Sequence, residues 1–498
     1  MGRFAIPPQV TFGGVVLVAV MQGCAQLPAF PVRPVKPQAQ VLAFDMNGDQ
    51  RPDYWQTVDP HGRKVELRFD TTGDGQPDTT VRPAELSADQ CLHVILVLDG
   101  VPFEIVDDLY RRGYFRLFPP PSRVVSVFPA MTDLALTRAF TDETCAGYEA
   151  LYYDRSQGRT TAGSQVYLSG ANEPWARFMD YRCSMSLDAQ AYLNPQGLWR
   201  HEMGGILKTI SQRRTGTVRA YSVATAGLGT RGGRDAIVQY LLDVDRLCER
   251  LTFERRGRIR FTLMADHGHD LVPAHRVRYD DALRKAGYRL TDRLRGPKDV
   301  VWAQYGLVSC GVFHTDDPQG VAGALLDVPG TDLVMMPVPE GPAGPAGPAV
   351  IVRSRTGTAA IRRTDTGFVY EPQHGDPLKL ESILERLRSE GKVGPDGSVA
   401  DREWLTATAD HEYPDPLRRI WVAFHGLVQN PADVLVSFRE GYFCGSKLFS
   451  LVVDVASTHG SLSRRGAITF ALSNHAPLPP LMRIEDLAPF VRPELPSR

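Results

Sequence analysis

Cysteine is scarce: seven in 498 residues, none in a CxxC pair. That spacing argues against a zinc knuckle. Charge of one sign is also missing, since 56 basic and 57 acidic residues leave a net charge of −1. No basic field is there to draw a nucleic acid, so small molecules and local sites are the better place to look. After the first thirty residues no stretch reaches the ~18 uninterrupted apolar residues of a membrane-crossing helix. His201-Glu202 lacks the second histidine of a zincin motif and is discounted as a metal site.

The N-terminus does not read as part of a fold. Arg3 precedes an apolar run of small residues from Phe12 to Met21, and Gln22-Gly23-Cys24 follows. This is the pattern of an export signal. The Gly-Cys end resembles a bacterial lipoprotein signal over residues 1–23, which implies acylation of Cys24. A plain secretory signal or a short anchor is the alternative. Residues 24–40 are rich in proline and glutamine, as an extended tether is. In an exported chain the remaining six cysteines can pair. Cys145 and Cys183, in an irregular polar segment, are the expected bridge, and Cys310 is expected as a buried free thiol.

Residues 41–85 hold a short repeat. Asp45, Asn47, Asp49 and Asp53 in the first copy match Asp70, Thr72, Asp74 and Asp78 in the second, each around a glycine and before Pro-Asp. Closely spaced hard oxygens around a glycine turn suit Ca²⁺. The pattern resembles the calcium loops of dockerin and thrombospondin type 3 repeats, without the closing glutamate of an EF-hand. Lys64 to Phe69 between them alternates like an exposed strand.

From 91 to 480 apolar strands alternate with helical patterns, which predicts an α/β domain with a largely parallel sheet flanked by helices. Strands are expected over 93–98, 123–128, 218–224, 258–265, 349–353 and 434–438. Helices are expected over 103–112, 133–140, 234–253, 318–326, 378–389 and 416–427. A small β-meander, 358–363 and 367–370, reads as an insertion, and 481–498 as a tail.

Four features fall at strand ends. Leu263-Met264-Ala265-Asp266-His267-Gly268 and Val94 to Leu98-Asp99-Gly100 are apolar runs that end in ligand-type residues. In an open α/β sheet, ligands gather outside the carboxyl ends of the strands. Ser126-Val-Phe-Pro-Ala-Met-Thr132 puts a hydroxyl before a helical run, where free N–H groups favour an anion. Ser457-Thr-His459-Gly460 adds a late histidine. Alone, each is a turn, a helix cap or a loop.

In this order the four resemble the alkaline phosphatase superfamily, nearest to its type I phosphodiesterase and nucleotide pyrophosphatase branch, over roughly residues 91 to 475. The resemblance implies one metal held by Asp99, Thr132, Asp266 and His267, with Thr132 also the nucleophile, and a second metal at His459. It implies zinc, or manganese, and a phosphoester substrate hydrolysed through a phosphothreonine. Two further ligands of the second metal would fall at Ala226 and Thr230, and neither is a ligand residue there. A catalytically degenerate binding protein at the cell surface is therefore the alternative. Asp243 and Asp245 are expected to face solvent or cap a surface, and His269 to stand behind the site or at the surface rather than turn toward it.

Overall fold

The computed structural model describes residues 36–38, 40–184, 187, 189–339, 347–445 and 455–492. The export signal and Cys24 lie outside the described residues. No helix among the described residues is long and apolar enough to cross a membrane.

Residues 36–81 form an antiparallel five-stranded sheet in sequence order: β1 (Lys36–Gln38), β2 (Val41–Phe44), β3 (Tyr54–Val58), β4 (Lys64–Phe69) and β5 (Thr79–Val81). The repeat is thereby explained, because its copies are the equivalent turns β2–β3 and β4–β5. One face buries Phe44, Tyr54, Leu67 and Phe69. Burying such side chains contributes about 1.5–3 kcal/mol each.

The main domain has a six-stranded sheet. Its elements in chain order are β6 (Leu92–Leu98), α1 (Phe103–Arg111), β7 (Ser122–Val125), α2 (Thr132–Phe140), α3 (Pro195–Ser211), β8 (Gly216–Ser222), α4 (Ala224–Glu254), β9 (Ile259–Met264), β10 (Ile468–Ser473) and β11 (Leu481–Arg483). The spatial order is β8-β6-β9-β10-β7-β11. The β8–β6, β6–β9 and β7–β11 pairs are parallel, and β10 alone runs against the rest. Every residue of β6 except His93 is buried, as expected of a strand covered on both faces. The expected α/β class with a mostly parallel central sheet is observed. Residues 481–492, expected as a tail, instead supply the edge strand β11 and two short helical turns.

A second sheet is larger than the expected insertion. It has nine strands, and all but the first pairing are antiparallel. The segments 349–353 and 434–438, expected in the parallel sheet, belong here. The two-residue link Arg355-Thr356 shows why for the first of them. A parallel return needs a crossover of about a dozen residues, whereas two residues can only close a hairpin.

All six described cysteines outside the leader are buried, and Cys91, Cys145, Cys248, Cys310 and Cys444 are free thiols. The expected Cys145–Cys183 bridge is absent. Cys145 Sγ instead lies 3.3 Å from Thr137 Oγ1 and 3.4 Å from the Asp133 carbonyl. Asp245 also departs from expectation: half-buried, it accepts a bond from Phe115 N at 3.0 Å and ties α4 to the loop after α1.

Candidate active site

Because β6, β7, β8 and β9 run the same way, their carboxyl ends share one edge. Asp99 leaves β6, Asp266 and His267 leave β9, and Thr132 follows β7 as the first residue of α2. Met131 takes the N-cap position without a side-chain bond. The hydroxyl of Thr132 is therefore not spent on capping. It lies 3.4–3.5 Å from both Asp99 carboxylate oxygens and 3.4 Å from His267 Nε2. His267 Nε2 is 3.3 Å from Asp266 Oδ2 and 3.6 Å from Asp99 Oδ1. The ligand atoms of Asp99, Asp266 and His267 all lie within 4.8 Å of one another. The four residues expected to form one site are thus brought together.

The backbone makes this close approach feasible. Gly100 has φ +66°, a conformation that side chains rarely adopt. Its N–H donates to Asp266 Oδ1 at 2.9 Å and so links the ends of β6 and β9. At Gly268 a Cβ would sit 2.2 Å from the Arg465 carbonyl. Asp-Gly and His-Gly are read in this chain because the strand ends cross neighbouring backbone.

Charge and protonation favour a cation. Asp266 is fully buried, and Oδ1 takes N–H bonds from Gly100 and His267, but Oδ2 has no donor. Burial raises its pKa above the usual carboxylate range. Among the described residues the basic side chain that meets it is an imidazole, not a lysine or arginine. His267 Nδ1 donates to the Gly268 carbonyl at 2.9 Å, which leaves the Nε2 lone pair facing the carboxylates. Burial pushes the His267 pKa down to about 4, so the ring is neutral near pH 7. Two carboxylates, a neutral imidazole and a hydroxyl form a set that suits zinc or manganese.

His459 stacks on His267, with ring centroids 3.9 Å apart. It donates through Nδ1 to the Ala130 carbonyl at 2.9 Å. Ala226 and Thr230 lie in the first turns of α4, both buried. That edge offers no carboxylate or imidazole from α4.

Sequence reasoning missed two supports. Tyr221, on β8, donates its hydroxyl to Asp99 Oδ2. Glu202 is fully buried inside α3 and accepts from Ser222 Oγ at 2.6 Å and from Val223 N and Ala224 N at 3.1 Å. It thereby holds the turn from β8 into α4. A signal existed: Glu202 sits between Leu198 and Ile206 at four-residue spacing, a carboxylate on an apolar stripe. His269, expected behind the site or at the surface, is buried, with its ring edge-on to those of His267 and His459.

The calcium expectation does not gain a site. Asp45 accepts from Gly48 N and Gln50 N, and Asp70 from Gly73 N and Gly75 N. The carboxylates turn onto their own loops, and neither loop brings three ligand groups together as Asp99, Asp266 and His267 are brought together.

No family model matches the chain, and no curated protein does. Solved structures with similar layouts include human ectonucleotide pyrophosphatase/phosphodiesterase 5, at 10% identity and a TM-score of 0.42, over 80% of this chain and 92% of that one. Phosphonoacetate hydrolase from Sinorhizobium meliloti 1021, in complex with phosphonoacetate, is 12% identical with a TM-score of 0.43, over 85% and 98%. Identity this low assigns no residue roles.

Proposed function

We propose that this chain is a metal-dependent phosphoester hydrolase that acts through a phosphothreonine at Thr132. The observation that carries the reading is the half-buried Thr132 hydroxyl at the start of α2, within 3.5 Å of Asp99 and His267. Asp99, Asp266, His267 and Thr132 would hold a zinc or manganese ion, which supplies Lewis acidity to the hydroxyl and to a phosphoryl oxygen.

The chain's own groups supply the rest. Thr132 donates to Asp99, which turns an oxygen lone pair outward toward an incoming phosphorus. The free N–H groups of the first turn of α2 face an anion there. In-line attack forms the Thr132 O–P bond and releases the substrate's alcohol. Water then cleaves the phosphothreonine, which gives phosphate, or a phosphomonoester from a phosphodiester, and restores the hydroxyl. Export and acylation at Cys24 belong to the same proposal and rest on the Phe12–Cys24 pattern.

Release of nitrophenol from p-nitrophenyl phosphate and from its bis ester, with zinc added, tests the reading. Thr132→Ala is expected to abolish release, and acid quench of the wild type to trap a phosphothreonine. A second reading, a ligand-binding protein without turnover, is favoured by the apolar Ala226 and by Thr230 on α4. Metal-loaded wild type that binds vanadate but releases no nitrophenol from either ester supports that reading against hydrolysis.

A further inference from the structure

Arg419, on the helix Pro416–Phe424, is 4% exposed. A guanidinium buried this deeply normally meets a carboxylate. This one is spent on three backbone carbonyls. Nη1 donates to Pro414 at 3.1 Å and to Leu462 at 2.9 Å, and Nη2 donates to Val127 at 3.2 Å. Among the described residues its Nε has no acceptor. Burial pushes the Arg419 pKa down to about 9, against the attraction of Asp415 nearby. The Asp415 carboxylate is itself held by Arg483, through Nε at 2.6 Å and Nη2 at 3.1 Å.

A second buried donor without an acceptor stands beside it. Ser126 directly follows β7 and is 1% exposed, and its Oγ has no hydrogen-bond partner among the described residues. The next residue, Val127, is the one whose carbonyl takes Arg419 Nη2. Ser126 and Arg419 line one cavity of about 20 Å³. A volume of roughly 10–15 Å³ admits one water, so the space takes one small group and not a phosphate ester. The charges around it favour an anion. Arg138, Arg418 and Arg483 also line the cavity, with Asp415 and Glu485. Asp415 pairs with Arg483, Glu485 with Arg418, and Asp401 reaches both arginines from outside the lining. Four arginines against three carboxylates leave one positive charge over.

We propose that Ser126 and Arg419 bind a small monovalent anion of about the size of chloride, which accepts from Ser126 Oγ and Arg419 Nε. A water could accept from both, but only an anion also offsets the buried guanidinium. The site is separate from the Asp99 cluster and braces its surroundings. Through Arg419 the anion steadies the Val127 carbonyl, five residues before Thr132, and the Leu462 carbonyl, three residues after His459.

The test is thermal unfolding of the full chain while sodium chloride replaces sodium gluconate at constant ionic strength. Chelator is present throughout, so that no metal takes the chloride. The midpoint is expected to rise with chloride and to level off, as binding to the folded state requires. Ser126→Ala removes one of the two donors and should raise the chloride concentration at half-effect roughly 10–100-fold. Arg419→Met should abolish the effect. Should that variant not fold, Ser126→Ala decides alone. Equal midpoints in chloride and gluconate overturn the proposal and assign the cavity to water. A chloride effect unchanged in Ser126→Ala puts the anion elsewhere and overturns it too. Either result leaves the reading of Thr132 and the Asp99 cluster standing.

Discussion

Replacing Asp266 by asparagine should stabilise the metal-free protein and remove most of the stabilisation that a metal gives. Asp266 Oδ1 would keep its bonds from Gly100 N and His267 N. At Oδ2, where the carboxylate has no donor, the new amide N–H₂ faces the lone pair of His267 Nε2, 3.3 Å away in the wild type. An unsatisfied buried polar group costs about 1–3 kcal/mol, so in chelator Asp266→Asn should be the more stable protein by about that amount. With an unfolding entropy of ~2.1 cal/mol/K per residue, a 498-residue chain has about 1 kcal/mol/K. The midpoint should therefore rise by about 1–3 °C. Zinc at about 100 times its Kd stabilises a folded binding state by about 2.7 kcal/mol, which is about 3 °C for the wild type. The variant, with one carboxylate fewer, should gain little. Differential scanning calorimetry of both proteins, in chelator and in zinc, reads all four midpoints. A variant less stable than the wild type in chelator, with an equal zinc shift, would refute the claim that Asp266 is held for a cation.

Other outcomes follow from single contacts. Tyr221→Phe removes the hydroxyl that donates to Asp99 and should weaken zinc binding roughly 10-fold, measured by chelator competition. Glu202→Ala leaves Ser222 Oγ, Val223 N and Ala224 N without their acceptor, and should cost about 3 kcal/mol or more by urea unfolding. Burial raises the pKa of Glu149, which accepts from Gly306 N, from 4.5 to about 7. A raised folded pKa means that its stabilising contribution is complete below pH 4.5 and lost as pH rises through about 7. The difference is on the order of 3 kcal/mol. Glu149→Gln should flatten stability between those pH values, and an unchanged profile would show that the carboxyl is not the cause.

The site was legible where local pattern and global topology agree. Asp99, Asp266 and His267 could be found because each follows a buried strand, and parallel strands put such ends on one edge. Helix α2 began within one residue of its expected start, since the proline turn and the apolar run mark it. The second sheet was harder to read. Its strands at 349–354 and 434–438 are short apolar runs, and such runs do not disclose whether their neighbour is parallel. The cysteines misled because burial, not pairing, accounts for them. Glu202 shows in the sequence only as a carboxylate on the apolar stripe of Leu198 and Ile206, which does not disclose the turn that it holds.

The N-terminal sheet has a consequence for orientation. Tyr54 and Phe69 pack on Phe253, and Gln56 and Lys64 bond Glu249, all near the end of α4. A Cβ on Gly257 would touch Val81 and Leu67, just before β9 begins. The small sheet therefore sits under the amino edge of the central sheet, while Thr132 and its neighbours open on the carboxyl edge. The Thr132 hydroxyl and the small sheet thus lie at opposite edges of the central sheet, so a molecule bound at one edge leaves the other open.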